Sequence, residues 1–98
     1  MNQLKEIILI GGGLSCCEII DLITNINLYN DDKINIAGIL DDNIDLKGKK
    51  INGVKVIGQI NNLNKFKNYY FFVNIFSFQN RFKRLKIIKK INQQKKKN

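Results

Sequence analysis

Histidine is absent from all 98 residues, and with it the commonest general base and metal ligand of proteins. Nucleophilic catalysis by a Ser-His or Cys-His pair is therefore excluded within the chain. Long apolar runs are missing too. None approaches the roughly 20 residues that span a bilayer, and Met1 to Lys5 leads straight into a strand pattern without a signal-peptide layout. A cytoplasmic protein with no membrane partner is expected. Cysteine is scarce, and the two present, Cys16 and Cys17, are adjacent. That spacing strains a mutual disulfide and cannot by itself build a four-ligand zinc site. Two roles stay open for the pair: packing at the start of a helix, or thiol chemistry favoured by a helix N-terminus, which lowers a thiol pKa.

Acid is missing from the C-terminal end. Residues 81–98 carry nine Lys and Arg and no Asp or Glu, while residues 1–80 carry eight of each sign. The net charge of +9 therefore belongs to one C-terminal helix and tail. The remainder offers no extended basic face for a phosphate backbone, so a nucleic-acid partner is not expected. Residues 93–98 are expected to form a solvated basic tail. A basic interaction protein acting through this helix is the alternative.

What is present points to one α/β domain over residues 1–92. Apolar residues make up 44% and charged residues 26%, the balance of a globular chain with room for a single core. The run Ile7-Ile8-Leu9-Ile10 ends in Gly11-Gly12-Gly13, as a strand buried on both faces would. Ile19, Leu22, Ile23 and Ile26 then recur at helical spacing, with Ser15 and Glu18 placed for a capping box. Ile34 to Leu40 gives a second strand ending at Asp41-Asp42, which completes a βαβ unit.

Asn52-Gly53 between two extended segments signals a tight turn. Ile60, Leu63 and Phe66 mark a short helix, Tyr69 to Ile75 a further buried strand, and Phe82, Leu85, Ile88 and Ile91 the apolar face of the last helix. The expected fold is a small Rossmann-like α/β domain, a parallel sheet of about four strands with helices on both faces.

Two features bear on chemistry. A glycine turn from a buried strand into a helix lets the backbone approach an anion, with free N–H groups and the helix dipole aimed at it. Gly11 and Gly13 fit the first two positions of G-x-G-x-x-G, with Cys16 at the third, and the turn contains no Lys or Arg. Asp41 and Asp42 follow the second strand, where such folds place a carboxylate on a ribose. A purely structural turn and a solvated acidic loop are the respective alternatives.

The stretch Ile36-Ala37-Gly38-Ile39-Leu40-Asp41-Asp42-Asn43, followed by Leu46 to Gly58 with Asn52-Gly53 at its centre, closely resembles the "GFIDDN…GKxINGxPVxG" segment of PglD-type N-terminal domains. These occur in the sialic-acid O-acetyltransferase and bacillosamine N-acetyltransferase family. Gly11 to Cys16 falls where the family carries "GAGGHA" or "GASGHG", and Phe72 to Arg81 where it carries "xxxAIGDNxxR". The resemblance covers about residues 5–92.

It implies a nucleotide-binding domain that holds a UDP-linked amino sugar for cell-surface polysaccharide biosynthesis. Gly11, Gly12, Gly13, Leu14, Ser15, Asp41, Asp42, Phe76 and Arg81 would stand around the ligand. In the family a left-handed β-helix follows, binds acetyl-CoA and supplies the catalytic histidine. A truncated or split acyltransferase, with a separate β-helix chain as partner, is thus expected. Leu14 and Ser15 depart from the family's glycine and histidine, and Phe76 from its glycine, where a large ring would stack on a base or block the site. A regulator that binds NAD or CoA is the other reading.

Overall fold

The computed structural model describes residues 4–13, 15–75 and 78–96. Five strands form one sheet: β1 (Leu4–Ile10), β2 (Lys33–Leu40), β3 (Lys50–Ile51), β4 (Val54–Gly58) and β5 (Tyr70–Val73). Their order is β3-β4-β2-β1-β5. β1 pairs in parallel with both β2 and β5, and β2 with β4, while β3 runs antiparallel to β4. Two α-helices, α1 (Cys16–Tyr29) and α2 (Arg81–Lys96), and a 3-10 helix at Ile60–Phe66 complete the frame. The chain is the expected Rossmann-like α/β domain.

Side chains that alternate along a strand point to opposite faces of the sheet, and here both faces are covered. Ile8, Ile10 and Leu40 pack with Ile60, Leu63 and Ile87 beneath the 3-10 helix and α2. Leu9 and Ile39 pack with Cys16, Ile20 and Val56 beneath α1. That two-sided burial explains the unbroken apolar run of β1. The fifth strand comes from the Asn52-Gly53 turn, whose two arms pair as the β3–β4 hairpin.

Asn52 and Gly53 both take positive φ, 47° and 85°, as a type I′ turn requires. A Cβ on Gly53 would meet nothing within 4 Å, so Gly53→Val acts through backbone conformation alone. A loss of about 1 kcal/mol in denaturant melts is expected; a neutral result would contradict the turn.

The helix faces differ from those expected. On α1 the buried residues are Cys16, Ile20 and Ile23, with Leu22 exposed and Ile26 at the surface. On α2 Ile87 and Ile91 are buried, while Phe82 and Leu85 are more than half exposed and Ile88 also faces solvent. Polar anchors set the rotation of α2. Arg84 Nη1 donates to the Ile75 carbonyl at 2.7 Å and buried Gln94 Nε2 to the Leu63 carbonyl at 3.2 Å. With Ile87 and Ile91 these fall on one helical face. The helix also continues beyond Asn92 to Lys96, through the segment expected to be tail. Among the described residues no helix is long and apolar enough to cross a membrane.

Candidate functional site

At the carboxyl ends of four strands a row of backbone hydrogen bonds runs across the sheet. Asp41 N donates to Gly58 O at 3.0 Å, Gly11 N to Leu40 O at 2.8 Å, and Asn74 N to Ile10 O at 2.7 Å. The row fixes the glycine turn between the ends of β2 and β5. β1 is where the strand order reverses, because the chain leaves it toward β2 on one side and reaches β5 on the other. Open α/β sheets bind ligands in the crevice at such a switch point. A depression of about 260 Å³ lies there, with Gly11, Gly13, Asp41, Asn74, Ile75 and Lys83 in its lining.

The three glycines differ in kind. Gly11 has φ 105°, and a Cβ there would sit 2.6 Å from the Asn74 carbonyl oxygen. Gly12 is buried against Ile51 and Leu46, and its N–H donates to Asp41 Oδ2 at 2.6 Å. Gly13 is exposed, with nothing within 4 Å of an added Cβ. Gly11 and Gly12 thus serve the fold, and Gly13 is the one with open space in front of it.

Ser15 occupies the N-cap position of α1 but caps nothing. The expected capping box with Glu18 is not formed. Its Oγ donates instead to Asn74 Oδ1 at 2.9 Å, while Asn74 Nδ2 donates to Gly11 O at 3.2 Å. Buried Asn74 therefore ties β5 to both ends of the glycine turn.

The two acids separate. Asp41 lines the depression, with Oδ2 held by Gly12 and Oδ1 accepting from Asn43 N at 2.7 Å. Asp42 turns to the 3-10 helix, where Oδ1 accepts from Ile60 N at 2.9 Å. Both also line an adjoining depression of about 240 Å³ flanked by Ile44, Ile57, Gln59 and Asn62. Arg81 begins α2 with its guanidinium over the Phe82 ring. The cation that reaches the glycine turn is Lys83. Leu14 and Phe76 lie outside the described residues.

Cys16 is fully buried, and its thiol is pushed up to about 11, first by burial, then by the charges of Cys17 and Asp41. Those three effects outweigh the helix start, which would lower it. Cys16 packs in the core with Leu9 and Ile39. Among the described residues no three carboxylates or thiols converge to hold a metal ion.

The family model of the PglD N-terminal domain matches residues 6–91. This chain belongs to that family. No curated protein matches it. Membership makes this PglD-type domain a module related to sugar acyltransferases. The match runs from β1 through the buried turns of α2, so the glycine turn, Asp41, Asn74 and Lys83 all lie inside it.

Two residues at the crevice escape a reading of local pattern, Asn74 and Lys83. Asn74 falls inside the strand expected from Tyr69 to Ile75, whereas β5 ends at Val73 and leaves Asn74 to bond the glycine turn. Lys83 carries no local signal, since it sits in a helix of many lysines.

Proposed function

We propose that the domain binds a UDP-linked amino sugar in the crevice between the ends of β1 and β5. The observation that carries this is the make-up of the crevice, which sets a carboxylate, Asp41, and a cation, Lys83, in one lining with Gly11 and Gly13. Phosphates are drawn toward Lys83, exposed Gly13 and the start of α1, where Cys16 N is bonded to Gly13 O but the next N–H groups have no intrahelical partner. Asp41 repels them and accepts hydrogen bonds from hydroxyl groups, so the ribose faces Asp41. The adjoining depression, with exposed Ile44 and Ile57 beside amide side chains, then takes the uracil ring.

These 98 residues contain no histidine, the most frequent general base in enzymes. The domain's part is to hold the amino sugar for an acetyl-CoA-dependent β-helix unit, either a separate chain or a further segment, in cell-surface polysaccharide biosynthesis.

Calorimetry with UDP-N-acetylglucosamine tests the placement. Gly13→Val should weaken binding at least tenfold with an unchanged melting temperature, because its side chain enters open space at the expected phosphate position. Lys83→Ala should weaken it by about five- to thirtyfold, the loss of one charged hydrogen bond of about 1–2 kcal/mol. Equal binding by the parent and Gly13→Val would refute the site. A thermal-shift response to NAD or CoA in place of UDP sugars would give the crevice to another nucleotide.

A further inference from the structure

Beyond the crevice, the cleft between α2 and the 3-10 helix carries a second concentration of charge. Lys83, Lys86 and Lys90 succeed one another at i, i+3 and i+7 and so share one side of α2. With Asp42, Ile60 and Asn61 they line a depression of about 160 Å³. It shares Ile60 and Lys83 with the glycine-turn depression. At its other end it shares Asn61 and Lys90 with one of about 320 Å³, where Lys67, Asn64 and Gln93 join the wall. Buried Ile60, Leu63 and Ile87 underlie this groove. Its shape is thus set by the core.

None of the four ammonium groups pairs with a carboxylate among the described residues. Asp42 is the one acid in the lining, set against four ammonium groups, and its Oδ1 accepts from Ile60 N. Like charges at i, i+3 and i, i+4 weaken a helix, and α2 has no acid to relieve them. A bound anion would. The amide groups of Asn61, Asn64 and Gln93 add donors and acceptors of the kind that fix a polar ligand's orientation. The groove is short and residues 1–80 are neutral overall, so it suits a small ligand rather than a nucleic-acid backbone.

We propose that the groove between α2 and the 3-10 helix, walled by Lys67, Lys86 and Lys90 and reached from the crevice past Lys83, binds a phosphate-bearing small molecule carrying two or more negative charges. This site is distinct from the UDP-sugar position and does not depend on it.

The test uses inorganic pyrophosphate and the isotopically labelled chain, followed by amide chemical shifts. Saturable shifts are expected at Asn61, Asn64, Lys86 and Lys90. Lys86→Ala with Lys90→Ala should weaken pyrophosphate binding at least fivefold. Lys89→Ala, on the same helix but outside the groove, should leave it unchanged. Titrations with ADP and with glucose 1,6-bisphosphate then tell a nucleotide from a sugar phosphate. Shifts confined to Gly12, Gly13 and Ser15, no saturation, or an equal loss with Lys89→Ala would overturn the proposal. Pyrophosphate shifts at Gly13 and Ser15 report the crevice and those at Asn61, Asn64, Lys86 and Lys90 the groove, so failure of either site is seen separately.

Discussion

Gly11→Val is expected to leave the domain unfolded, or less stable by about 3 kcal/mol or more in urea melts. At φ 105° a β-branched residue is strained in any surroundings. Here its Cβ would also fall 2.6 Å from the backbone oxygen of Asn74. Neither partner can retreat, because Gly11 N is bonded to Leu40 O and Asn74 N to Ile10 O. A substitution made to obstruct a ligand would therefore report on folding instead, so the binding test belongs at Gly13. Gly13→Ala should lie within about 0.5 kcal/mol of the parent, as surface changes in open space do. A stable, cooperative Gly11→Val would contradict the packing of β1 against β5.

Asn74→Leu should cost about 2 kcal/mol and also abolish binding of a UDP sugar. Leucine has the branched shape of asparagine but is bulkier, so no cavity opens and crowding adds to the cost. What disappears is the donor to Gly11 O and the acceptor for Ser15 Oγ. A buried carbonyl left without its partner costs about 1–3 kcal/mol, while the Ser15 hydroxyl, being part-exposed, can turn to water. Ser15→Ala removes the donor to Asn74 Oδ1 and should cost about 1 kcal/mol, the low end of that range, because Asn74 lines an open depression that admits water. Thermal melts of the two variants check this ordering, and a neutral Asn74→Leu would deny Asn74 its place as the tie between β5 and the turn.

The strands were legible because burial on both faces leaves a mark in one dimension: consecutive apolar residues such as Ile8, Leu9 and Ile10, closed by glycine. The hairpin was legible because only a few residue pairs tolerate the two positive φ values of its turn. Helix rotation was not. α1 contains Ile19, Ile20, Leu22, Ile23 and Ile26, and α2 has Ile87 beside Ile88, so more than one stripe satisfies helical spacing. The choice fell to tertiary partners, the sheet below and the carbonyls of Leu63 and Ile75.

The site was half legible for a related reason. Gly11 and Asp41 each end a strand and stand out locally. Asn74 and Lys83 reach the same crevice because β5 lies beside β1, and strand order leaves no local mark. The acid pair also took on different tasks, Asp41 at the glycine turn and Asp42 at the 3-10 helix. Adjacent residues at a strand end point opposite ways, so one pattern served two functions.

The central position of β1 also bears on how the domain assembles. Its partner β2 follows within the βαβ unit, but its other partner is more than 60 residues away, Ile10 pairing with Val73. Closing so long a loop comes at an entropic cost before any contact compensates it, which slows folding. On the ribosome the first strand must wait, with one edge unpaired and apolar, until Val73 has emerged. Such an edge invites pairing with another nascent copy. The contact that ends this exposure brings Asn74 to Gly11, so the crevice at the switch point takes shape only when β5 pairs.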